Sequence, residues 1–96
     1  MNIVVLQSIF YEVIKGDQRI SARHISLYMA LLHCYAKNSL QNPVMLKREI
    51  IMGRAKISSR VTYNKCMKEL HEYGYIDYLP SYTAGASMAN LKLLHY

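Results

Sequence analysis

The chain has 96 residues, 52% of them hydrophobic, and a formal net charge of +6. That length supports one core and not two, so residues 1–96 read as a single domain, and the lack of repeats, low-complexity tracts or Gly/Ser linkers excludes a disordered chain. Nine tyrosines against one phenylalanine and no tryptophan point to an interior with many half-wet aromatic positions.

Residues 2–15 read as a helix whose polar stripe, Ser8, Glu12 and Lys15, is narrow on an otherwise apolar cylinder. The opening MNIVVLQSIF has no basic n-region, is interrupted by Gln7 and is followed by Glu12, so neither a signal peptide nor a membrane span is expected. Gly16-Asp17 ends this helix. A second helix is expected from Ala22 to Asn38, with Ser21 able to cap it. Its polar line, Ser26, Ala30, His33 and Lys37, is thin beside Ile25, Leu27, Tyr28, Leu31, Leu32, Cys34 and Tyr35, which marks a central helix buried on several sides.

Asn42-Pro43 breaks the pattern, and Val44-Met45-Leu46 suffices for one short strand. Residues 47–54 then form a short helix. Ser58-Ser59 is a double candidate N-cap for a helix running to Tyr73, with Tyr63, Cys66, Met67, Leu70 and Tyr73 on its buried face and Gly74 placed to end it. The period then changes: residues 75–79 and 89–93 alternate as half-buried strands around an exposed loop, 80–87. The expected fold class is therefore α+β.

The charge is localised. Residues 47 to 68 hold Lys47, Arg48, Arg54, Lys56, Arg60, Lys65 and Lys68 against Glu49 alone, while the five basic and five acidic residues elsewhere cancel. A basic stripe of this kind is the electrostatic footprint of a polyanion binder, or else a solvated helix face.

The order helix, helix, strand, helix, helix, strand, loop, strand, with SSRVTYNKCMKELHEYGYI at 58–76, resembles a winged helix-turn-helix with an extra N-terminal helix. The runs HISLYMALLHCY, NPVML and TYNKCMKELHEYGYIDYLPS are similar to short winged-helix proteins carried by bacterial conjugative elements and prophages, over residues 20–94. The resemblance implies a helical core, a small antiparallel sheet with one wing, and duplex DNA as partner in transcription regulation or another mobile-element process. The chain departs from the usual pattern where Lys47 holds a cap position, Gly53 lies inside the helix and Arg54 replaces the usual Leu. That helix is expected to be weak, and Arg54 is expected to face DNA instead of the core.

In this frame Ser58 and Ser59 either bind a phosphate or cap the recognition helix. Arg60 suits guanine O6/N7, with a phosphate as the alternative, and Asn64 suits adenine or is only solvated. Thr62 contacts backbone or the groove edge, Lys65 and Lys68 contact phosphates, and Lys47, Arg48, Arg54 and Lys56 flank the groove. Tyr63 belongs to the core. In the wing, Tyr82, with Ser81 and Thr83, reaches a phosphate or the minor groove, or forms an idle turn.

No zinc spacing joins His24, His33, His71 and His95 with Cys34 and Cys66, and neither a phosphate loop nor paired carboxylates occur, so no metal site, cofactor or catalysis is expected. The two thiols read as reduced core residues of a cytoplasmic protein. Residues 2–15 either fold back on the domain or join two copies as a homodimer. A protein-interaction module with an incidental basic face is the alternative function. A single-strand binder would want aromatic residues on the basic face, and the tyrosines lie mostly on apolar ones.

Overall fold

The computed structural model describes residues 2–83 and 86–94. It is α+β, with helices α1 (Ile3–Ile14), α2 (Ala22–Lys37), α3 (Arg48–Ala55) and α4 (Arg60–Glu72) and strands β1 (Val44–Met45), β2 (Ile76–Leu79) and β3 (Met88–Leu91). Of the expected features, loop 80–87 is described except at Ala84 and Gly85, and His95 lies outside the described residues. No helix of the described residues is long and apolar enough to cross a membrane.

Each helix starts and stops where its sequence supplies the chemistry. The Asn2 side chain accepts the Val5 N–H at 3.0 Å and caps α1. At the head of α2, His24 reaches back so that its Nδ1 accepts the Ser21 N–H at 2.9 Å. Ser59 caps α4 by accepting the Thr62 N–H. Gly74, at φ +88°, closes α4 with paired bonds, Gly74 N–H to His71 and Tyr75 N–H to Leu70. Glycine is favoured there because a Cβ disfavours that left-handed backbone.

One buried cluster runs through every element: Phe10 on α1, Leu27, Tyr28, Leu31 and Leu32 on α2, Val44 on β1, Ile51 and Met52 on α3, Tyr63, Met67 and Leu70 on α4, Ile76 on β2 and Ala89 on β3. Burying each large aliphatic or aromatic side chain contributes about 1.5–3 kcal/mol against chain entropy. Ala30, assigned from its spacing to the polar line of α2, is also buried. Ser26 on that line turns inward and donates to the Ala55 carbonyl, tying α2 to the end of α3.

The sheet order is β1-β3-β2, antiparallel throughout. The expected strand 75–79 starts one residue later because the Tyr75 N–H closes α4. The expected strand 89–93 shifts to Met88–Leu91, since Leu91 already faces Ile76, the first residue of β2. Beside β1, Pro43 has no N–H to give the ladder. The Asn42 side chain substitutes: its amide donates to the Leu91 carbonyl at 3.0 Å and accepts the Leu91 N–H at 2.9 Å.

At the far end of the molecule, Phe10 stacks on Tyr28 at 4.0 Å between ring centroids and meets Tyr75 edge-on at 5.7 Å. The Tyr75 hydroxyl donates to Asp17 at 2.7 Å, and Arg19 grips the same carboxylate through two bonds of 2.8 Å. Arg19 also lies 4.3 Å over the Tyr73 ring. These bonds, led by the Arg19 guanidinium, hold the Asp17 carboxyl well below the usual carboxylate range. Burial pushes the Tyr28 hydroxyl up to about 12.

Candidate nucleic-acid interface

Helix α4 is seated by Tyr63, Cys66, Met67 and Leu70, which are buried against α2 and the sheet. With about 100° per residue, Arg60, Asn64, Lys68, Val61 and Lys65 then spread over an arc of about 140° on the opposite side. All five are exposed, Val61 at 78%. The face changes character along its length. Its first two turns carry Arg60, Asn64 and Lys65, whereas Glu69 and Glu72 join Lys68 further on, around a shallow depression. A polyanion is therefore attracted most strongly to the N-terminal half and more weakly around Lys68.

The two serines divide their roles. Ser59 is engaged as the cap of α4, while Ser58 is exposed and makes no side-chain hydrogen bond among the described residues. Thr62 is half-buried behind the first turn.

Beside α4 lies an open groove of about 680 Å³ between the start of α3 and the loop joining β2 to β3. It brings together Lys47, Arg48, Asn64 and Tyr82, with Ser81 and Thr83 on the same wall. The Lys47 side chain makes no capping bond to α3. Tyr82 is fully exposed at the loop tip. Tyr63 and Tyr78 form the floor, and burial raises the hydroxyls of both.

Lys56 and Arg54 stand apart from that groove. Lys56 occupies the turn between α3 and α4 in a left-handed conformation, φ 59° and ψ 39°, with its side chain exposed. Arg54 lies at the end of α3 and leans on α2, its Nη1 3.6 Å from Cys34 Sγ, above a shallow depression lined by Ser26, Met29, Ala30 and His33. Its guanidinium is exposed yet directed to the α2 side.

Two features were not singled out from the sequence. Glu49 on α3 accepts from Arg60 Nη2 at 3.2 Å and from Arg48 Nε at 3.4 Å, so the lone acid of the basic window sits between two of its arginines. His24, Cys66 and Glu69 bring Nε2, Sγ and a carboxylate oxygen within 4.8 Å of one another, although no spacing signals it. Because His24 Nδ1 accepts an amide N–H, the ring proton belongs on Nε2, which donates to Glu69 at 2.9 Å. A metal on Nε2 needs the proton on the other nitrogen, where the Ser21 N–H already points, and burial pushes the Cys66 thiol up. The trio fits a hydrogen-bonded strut between α2 and α4 better than a metal centre.

Comparison of the chain with protein-family models, curated proteins and solved structures finds no match.

Proposed function

We propose that this chain is a cytoplasmic winged helix-turn-helix protein that binds duplex DNA sequence-specifically, without catalysis or cofactor, as a transcriptional regulator or an accessory factor of a mobile element. In this reading α4 enters the major groove by its N-terminal half, α3 crosses the backbone, and the β2–β3 loop is the wing. The observation that carries it is the segregation of charge: the whole excess of +6 lies in residues 47–68, whose cations are all exposed, with Arg60 and Lys65 on the first turns of α4 and Lys47 and Arg48 in the groove beside it.

Roles follow from geometry. Arg60, in the first turn, is the base reader, and Asn64, one turn on, is the second. Val61 is positioned for a thymine methyl. Ser58, Lys47, Arg48, Lys56 and Tyr82 contact phosphates on either side, with Lys65 and Lys68 following along α4. Arg54, which leans towards α2, contributes to the field and not to a direct contact.

Selection of bound sequences from a random duplex pool tests the reading, and an unenriched pool overturns sequence-specific binding. On the selected site, Arg60→Ala should cost about 1–3 kcal/mol and relax preference at one base pair. Lys68→Ala should weaken all sequences alike and lower the slope of log affinity against log salt by about one. Equal losses on selected and scrambled duplexes for both variants would reduce Arg60 to a phosphate contact.

Exposed Val4, Val5 and Tyr11 on α1 favour a second reading, in which α1 docks a protein partner or a second copy of the chain. A homodimer would double the readout on a palindromic site. Sedimentation at micromolar concentration, free and on DNA, decides it: a strict monomer in both states removes the homodimer.

A further inference from the structure

We infer that Glu49 is a positioning residue that gives Arg60 its preference for a base edge over a phosphate; this rests on the duplex-binding reading above. Glu49 is the only acid among seven cations in residues 47–68. It is exposed, so no need of the core explains its place, and its Oε1 accepts from Arg60 Nη2 at 3.2 Å across the α3–α4 turn. The same oxygen takes Arg48 Nε at 3.4 Å.

A guanidinium has five N–H donors, and this one uses a single donor among the described residues. Arg60 therefore keeps enough donors for guanine O6 and N7 while the contact biases its long side chain towards the α3 side. The carboxylate also discriminates between ligands. A phosphate approaching Arg60 brings a negative charge close to the negative charge of Glu49, whereas a guanine edge presents neutral acceptors. Glu49 thus penalises the wrong contact more than the right one, which is how selectivity is obtained from a repulsive element. It also partly neutralises Arg48, so the cost falls on duplexes bound only through their backbone.

The test compares the full chain with Glu49→Gln on the selected duplex and on a scrambled one, at several salt concentrations. Glu49→Gln should bind the scrambled duplex about three- to tenfold more tightly, with a salt slope steeper by up to about one unit. Affinity for the selected duplex should change less, so the ratio of the two falls. Glu49→Gln should also relax preference at the Arg60 base pair, a readout that a merely structural role would not move, and in an Arg60→Ala background it should change that preference no further. An equal gain on both duplexes makes Glu49 a bulk charge and overturns the inference while leaving duplex binding standing. An unchanged ratio with unchanged affinities overturns it too. If the unsubstituted chain binds no duplex at all, the functional reading and this inference fall together.

Discussion

The α1 end of the molecule and the α3–α4 face handle charge in opposite ways. At the α1 end, ionic groups are tied to neighbours: Glu12 to Lys15, Asp17 to Arg19 and Tyr75, and His24 to Glu69. On the α3–α4 face the ion pairs among the described residues both run to Glu49, and Lys47, Lys56, Lys65 and Lys68 have none. Mutual repulsion of such cations destabilises a fold slightly. A surface kept in that state is stabilised by an external anion, whereas the paired end is internally satisfied. One region ties its charges to one another, and the other leaves them open to solvent, as the proposed duplex contact requires.

The strongest way to break that contrast is at Phe10, which is fully buried and stacked on Tyr28. Phe10→Ala should cost about 3–5 kcal/mol, a large share of the stability of a small domain. Urea unfolding followed by circular dichroism measures it. The fraction that remains folded should still bind duplex with the original salt slope, because no interface residue touches this ring. A cost below about 1 kcal/mol would mean that α1 is an appendage and not part of the core.

Asp17 sharpens the same contrast through pH. Its carboxylate accepts from Arg19 and from Tyr75, and both bonds favour its charged form. The folded state lowers its pKa, so its contribution is fully present above the unfolded carboxylate value of about 3.9 and is lost as pH falls below it towards the folded value. The unsubstituted chain should therefore lose stability more steeply than Asp17→Asn between about pH 4.5 and 2.5. Parallel stability curves for the two proteins would show that the clasp does not link the α1–α2 turn to β2.

What could be read in advance was local. Ser59 and Gly74 announce helix ends because capping needs only residues within one turn, and both are used as expected, while Ser21 stands at the N-cap position of α2 with its N–H bonded to His24 Nδ1. The faces of α4 followed from its period. What stayed hidden joins residues far apart in the chain, where no periodicity constrains them. Asn42 pairs with Leu91, Tyr75 with Asp17, His24 with Glu69, and Glu49 with Arg60 across the turn. Nothing local signals that Ala30 is covered or that Arg54 leans on α2. The groove depends on the approach of the β2–β3 loop to α3, which is set by the central place of β3 in the sheet.

The smallest expected effect lies at Lys56, where the two demands meet in one residue. Lys56 ends α3 at φ 59°, a position usually taken by glycine, and it carries an exposed cation. A left-handed conformation costs a non-glycine residue about 1–2 kcal/mol, and glycine returns part of that through a floppier unfolded chain. Lys56→Gly should therefore stabilise the domain by about 0.5–1 kcal/mol. If Lys56 contacts a phosphate, the same change should weaken selected and scrambled duplexes equally and lower the salt slope by about one unit. Thermal unfolding and a salt titration on one sample read both effects. Greater stability with unchanged binding would place Lys56 outside the interface. Lower stability would mean that its aliphatic stem packs on the turn and outweighs the relief of backbone strain. Greater stability with weaker binding would mark a residue kept at some cost to the fold for the sake of its charge.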